Sequence, residues 1–122
     1  MSKIMDMTDM LIIDNNAYRN RFLCKQLADE GYRVSIIDDI EMLPSTLNGS
    51  QFDLALLNLQ LDGLSSWKVL LDIKEIDPSL PVLVYSIKNH DSIIALKETI
   101  TMALGEKATV HGFRDRGLNP EA

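Results

Sequence analysis

Four short apolar runs, each followed by a longer stretch with helical spacing, set the strongest limit on how this chain can fold. The runs are Met10-Leu11-Ile12-Ile13, the β-branched and aromatic stretch Tyr32 to Ile37, Phe52 to Leu57 and Pro81 to Tyr85. The third is almost wholly apolar, and a strand with apolar side chains on both sides must be buried on both faces. Runs of this kind alternating with helices imply a parallel sheet covered above and below.

The punctuation agrees. Asp14-Asn15-Asn16 stops the first run, and Asn16 can cap the helix that follows. From Ala17 to Glu30 the residues Tyr18, Phe22, Leu23 and Leu27 repeat with helical spacing, and Gly31 supplies a left-handed stop. Asp38 to Leu47 reads as a weaker helix with Pro44 in its first turn. Asn48-Gly49 is a turn signal. Ser65 to Ile76 is a helix ended by Asp77-Pro78, with Trp67 expected to anchor it to the sheet. Ser92 to Leu104 carries Ile93, Leu96, Ile100 and Leu104 on one face, with Gly105 as its stop, and Ala108 to Phe113 is the candidate fifth strand. A competing reading ends that helix near Glu98 and makes the β-branched segment Thr99 to Leu104 the fifth strand. The helix is preferred, because the 3.6-residue spacing continues to Leu104.

The order βαβαβαβαβ predicts a doubly wound, flavodoxin-like α/β fold with a five-stranded parallel sheet of order 2-1-3-4-5. Its ligand site should lie at the carboxyl ends of strands 1 and 3, where the winding reverses. Expected boundaries are an extension over residues 1–9, one domain over 10–117 and a tail over 118–122, too short for a helix after strand 5. An extended fourth helix, a partner chain or a dimer would then cover the face left bare.

Composition excludes several classes. The net charge of -6 and pI near 4.7 disfavour direct nucleic-acid binding and anionic membranes. No run approaches the ~18 apolar residues of a membrane span, and Met1 to Met10 lacks the pattern of a secretory leader. The single Cys24 permits no intrachain disulfide and suits a cytoplasmic protein. It sits among helix-1 apolar residues and reads as packing. His90 and His111 are isolated, and neither a nucleophile–base pair nor a phosphate-cradling glycine loop is visible, so no enzymatic activity is expected.

The strand ends present Asp14-Asn15, Asn58 and Ser86. Here the chain resembles response-regulator receiver domains of the NarL/FixJ-like branch. The resemblance rests on Leu11-Ile-Ile-Asp-Asn-Asn-Ala-Tyr-Arg, on Asp53-Leu-Ala-Leu-Leu-Asn-Leu-Gln-Leu-Asp-Gly-Leu-Ser-Ser-Trp and on Ile76-Asp-Pro-Ser-Leu-Pro-Val-Leu-Val-Tyr-Ser. It covers about Met10 to Leu96. It implies two acids after strand 1 that hold Mg²⁺, an aspartate after strand 3 that accepts the phosphoryl group, a Ser or Thr after strand 4, and a Lys after strand 5.

This sequence departs from that set. Asp14 keeps the first acid, Asn15 stands at the second, Asn58 replaces the acceptor, and Ser86 keeps the hydroxyl. No lysine follows strand 5 in the expected context. Arg116 is the nearest cation, or Lys107 under the competing strand assignment. Asp62 stands where the family usually has Pro, and Ser66 where it has Gly. An amide is no carboxylate nucleophile, so Asn58 cannot form an acyl phosphate. With Asp14 alone, Mg²⁺ binding should be weak or lost, and no cofactor is expected. The vestigial pocket of Asp14, Asn15, Asn58, Ser86 and Arg116 is expected to settle through hydrogen bonds among Asn15, Asn58 and Ser86. Tyr85 and Phe113 are either aromatic switch positions or half-buried strand aromatics.

The resemblance therefore implies a pseudo-receiver in two-component signalling that acts through protein contacts without aspartyl phosphorylation. Its partner would be a histidine kinase or regulator, or a second copy docking on the side formed by the fourth helix and fifth strand. Two alternatives are a small-ligand sensor built on the same fold and an ordinary receiver with an engineered Asp-to-Asn change. The paired substitutions at positions 15 and 58, with the missing lysine, favour natural loss.

Overall fold

Strand β1 (Asp9–Ile13) lies between β2 (Arg33–Ile37) and β3 (Leu54–Asn58), and β4 (Val82–Tyr85) joins the far side of β3. All three pairings are parallel. The computed structural model describes residues 7–108, with side chains through Gly105. Within them the strand order is β2-β1-β3-β4, and the helices are α1 (Ala17–Ala28), α2 (Leu43–Gly49), α3 (Ser66–Ile76) and α4 (His90–Ala108). This is a flavodoxin-like α/β arrangement. The chain forms two compact units that divide between Ser86 and Ile87, so the sheet and the first three helices belong to one unit and α4 to the other.

The sheet is buried on both faces because its inner strands are apolar at both parities. Leu11, Ile13, Ala55 and Leu57 form a buried cluster with Leu43 and Leu47 of α2 and Val69 and Ile73 of α3. Met10, Ile12, Leu54 and Leu56 have the opposite parity and are at most 2% exposed. Each such Leu or Ile contributes about 1.5–3 kcal/mol on burial.

The local signals act as anticipated in most places. The Asn16 side chain caps α1 by accepting from the Arg19 backbone N–H at 2.8 Å. Gly31 adopts φ 95°, which only glycine takes without strain, and turns the chain into β2. Pro44 sits in the first turn of α2, where its missing N–H costs nothing. A short 3₁₀ turn, Ile40–Met42, precedes it.

Several expectations need correction. The competing assignment of Thr99 to Leu104 as a strand is one: the segment is helical throughout, within α4, as the preferred reading expects. The β-branched threonines are accommodated because Thr99 Oγ1 donates to the Ala95 carbonyl at 2.8 Å and Thr101 Oγ1 to the Lys97 carbonyl at 3.0 Å. Gly105 does not stop the helix, which runs to Ala108 and includes Lys107. Trp67 is no anchor, since it is 67% exposed. The stripe of α3 that is buried is Val69 and Ile73. Likewise Tyr18 and Phe22 lie on the open side of α1, and Leu23 and Leu27 are its buried apolar residues. Ala108 closes α4, and the rest of the candidate fifth strand, Arg116, Phe113 and the tail lie outside the described residues.

Candidate functional site

Strand register builds the site. Ile13 pairs with Leu57, and Leu57 with Val84. One step further, Asn58 pairs with Tyr85, and Asp14 extends β1 into the same row. Asp14, Asn58 and Tyr85 therefore project from neighbouring strand ends on one side of the sheet. All three are buried, with Asp14 at 0% exposure.

Asp14 is the hub. Its Oδ2 accepts from Asn58 Nδ2 at 3.0 Å, from the Tyr85 hydroxyl at 2.8 Å and from Arg19 Nε at 2.7 Å. Its Oδ1 accepts from Arg19 Nη2 at 2.9 Å and from the Asn16 backbone N–H at 3.0 Å. These five bonds fill a carboxylate that offers about four lone-pair positions. The Asn16 cap fixes where α1 begins, and Arg19 lies one turn in, so its guanidinium can reach back as a two-pronged fork. Asn20, the next residue, is buried and donates through Nδ2 to the Asp14 carbonyl at 2.6 Å.

The charges respond to this packing. Burial works to raise the Asp14 carboxyl, but hydrogen bonds from Arg19, Tyr85 and the Asn16 backbone outweigh it and hold the group below its ordinary value. Burial, reinforced by the Asp14 charge, pushes the Tyr85 phenol far above its usual range. The pair Asp14–Arg19 is thus ionised, and Tyr85 is a neutral donor.

Both ends of the Asn58 amide are used, because Oδ1 accepts from the Gln60 backbone N–H at 2.6 Å. The Asn58 backbone carbonyl accepts from Ser66 Oγ at 2.8 Å, which gives that serine a local role. Asn15 turns away from the hub. Its Nδ2 donates to the Asp62 carbonyl at 2.9 Å and its Oδ1 accepts from the Asp62 N–H at 3.1 Å, tying the loop after β3 to the end of β1. Gly63 follows at φ 72°.

The anticipated mutual bonding of Asn15, Asn58 and Ser86 is not what joins the pocket. Asp14 is its centre, with Arg19, Asn58 and Tyr85 around it. Ser86 follows Tyr85 at the opposite strand parity, is half-buried and takes no part in the bonds around Asp14. Arg19 and the pocket role of Tyr85 escaped the reading of the sequence. The signal for Tyr85 was register, since counting outward from the apolar runs aligns it with Asn58. The signal for Arg19 was its place one turn beyond a capping Asn.

The donor set does not suit Mg²⁺, which seeks several hard anionic oxygens around an octahedron. Asp14 supplies one carboxylate and its lone pairs are taken, while Asn58 turns an N–H toward it. Among the described residues no group of three or more His, Cys, Asp or Glu side chains is placed to hold a metal ion.

A family model described as response regulator receiver domain matches residues 10–104. The chain belongs to that family. A curated relative, the transcriptional regulatory protein PcoR of Escherichia coli, is 25% identical over 84 residues, which cover 69% of this chain and 37% of that protein. The chain thus matches little more than a third of that relative's length. Among solved structures, a CheY-like receiver domain protein from Methanospirillum hungatei JF-1 aligns with TM-score 0.71 at 18% identity, over 83% of this chain and 96% of the other. The response regulator TrrA of Thermotoga maritima bound to histidine kinase ThkA gives a chain that aligns with TM-score 0.60 at 20% identity, over 69% of this chain and 72% of the other. Among the described residues, no helix of this receiver domain is long and apolar enough to cross a membrane.

Proposed function

We propose that this receiver domain signals without aspartyl phosphorylation, by contact with other proteins. The observation that carries the reading is Asn58 at the acceptor position, with its amide committed at both ends to Asp14 and Gln60. An amide nitrogen donating to a carboxylate has no lone pair to attack a phosphoryl donor, and the amide oxygen is a poor nucleophile. Asp14, Asn15, Asn58 and Ser86, with Arg116 as the nearest cation in the sequence, are read as the remnant of a phosphoacceptor pocket. No enzymatic role is assigned to them.

The domain is read as residues 10–117, in the style of the NarL/FixJ-like branch, with a fifth strand following α4. Its partner is read as a histidine kinase or another regulator, in keeping with the kinase-bound relative TrrA. A second copy docking on the side of α4 and the fifth strand is the alternative partner. The net charge of -6 argues against nucleic acid, and the single cysteine fits a cytoplasmic setting.

Incubation with acetyl phosphate and Mg²⁺, followed by intact-mass analysis, tests the proposal. No phosphoryl adduct is expected on this chain under conditions that label an ordinary receiver. An alkali-labile adduct would refute it.

A further inference from the structure

We propose that the Arg19 guanidinium occupies the electrostatic place of the divalent cation, making the Asp14 centre a closed, metal-independent ion pair. The inference extends the reading of Asn58 as a non-acceptor to the cation that receiver sites take, and it rests on the geometry around Asp14.

Three observations converge. The guanidinium meets both carboxylate oxygens, at 2.7 and 2.9 Å, and so covers the edge a cation would approach. Tyr85 and Asn58 add hydrogens to Oδ2, so the surroundings of that oxygen are donors, and a metal needs oxygens. The Asn58 amide oxygen is held by the Gln60 N–H at 2.6 Å, and the Tyr85 hydroxyl is turned to Asp14 as a donor. The partial charges that a magnesium site arranges around its ion are reversed here. The Arg19 side chain is 26% exposed while Asp14 is fully buried, so the cation reaches in from the surface and the anion is fixed. A buried carboxylate needs a counter-charge, and in this chain a side chain supplies it covalently, at every metal concentration.

The test compares the unaltered chain, Asn58→Asp, and Asn58→Asp combined with Arg19→Gln, by thermal denaturation across a Mg²⁺ titration. The double variant places a second carboxylate beside Asp14 and removes the built-in cation. It should gain a saturable Mg²⁺-dependent rise in melting temperature, and Asn58→Asp alone should require at least ten-fold more Mg²⁺. The unaltered chain should show no specific response. If Asn58→Asp binds Mg²⁺ as tightly as the double variant, or the unaltered chain binds it, or the folded double variant does not, the inference is wrong.

A double variant that does not fold leaves a second measurement. Mn²⁺ should broaden the backbone amide signals of Asn16 and Gln60 in Asn58→Asp combined with Arg19→Met, which keeps the unbranched apolar stem, and leave them sharp in the unaltered chain. Equal broadening in both overturns the inference. The readout is metal, so a phosphoryl adduct on the unaltered chain would sink the proposed function without deciding this comparison.

Discussion

Replacing Tyr85 with Phe isolates one bond of the Asp14 hub. The ring stays in its buried place, and only the hydroxyl that donates to Asp14 Oδ2 at 2.8 Å is removed. A hydrogen bond to a charged group contributes ~1.5–3 kcal/mol. Oδ2 retains Arg19 Nε and Asn58 Nδ2, so the carboxylate is weakened but not orphaned, and the cost belongs toward the lower half of that range. The expected loss is about 2 kcal/mol at neutral pH, or roughly 8 °C in Tm for a domain of this size. Urea denaturation followed by circular dichroism measures it, with Tyr18→Phe as the control because Tyr18 is 77% exposed and should change nothing. The loss must also depend on pH. As Asp14 takes up a proton the bond loses its charge, and the gap between Tyr85→Phe and the unaltered chain should narrow in acid. A loss below about 0.5 kcal/mol, the level of an ordinary surface change, would refute the hub. A full-sized loss that does not shrink in acid would show that the carboxylate charge is not what Tyr85 serves.

Asp14 has a folded-state pKa below its ordinary value of 3.8, so its contribution is fully present above that value and is lost as pH falls toward the folded pKa. Stability measured from neutral pH downward should therefore drop through this acid range, and Asp14→Asn should flatten that part of the profile. Trp67, the single tryptophan, is 67% exposed, so its native emission should resemble that of the urea-unfolded chain and be readily quenched by acrylamide. Trp67→Gln should change stability by no more than about 0.5 kcal/mol, and a blue-shifted, protected emission would contradict the placement of α3.

The sequence announces the sheet because its inner strands have no polar side. Leu54 to Leu57 can satisfy their burial only between two covered faces, and Asn16, Gly31 and Pro44 mark where the chain must change direction. The phase of the helices is harder. In α3, Trp67 and Leu71 make as good an apolar pair on paper as Val69 and Ile73, and only docking on the sheet decides which faces inward. The same ambiguity misled the reading of α1, where Tyr18 and Phe22 proved open. The acid positions were legible as a list of strand-end residues, but their wiring was not. Asp14 bonds to Tyr85, 71 residues away, through a register no local pattern fixes, and to Arg19 through a helix start that depends on one cap.

The clasp between Asn15 and Asp62 bears on how the loop after β3 is held to the end of β1. An amide gives and takes at once, and the loop after β3 uses both actions. An aspartate at position 15 would still accept from the Asp62 N–H, yet it would set a carboxylate oxygen against the Asp62 carbonyl with no hydrogen between them. An acid at position 15 would therefore give up one of the clasp's two bonds and loosen the loop after β3 from the end of β1, so the amide acts as a latch between two segments that are 47 residues apart in sequence.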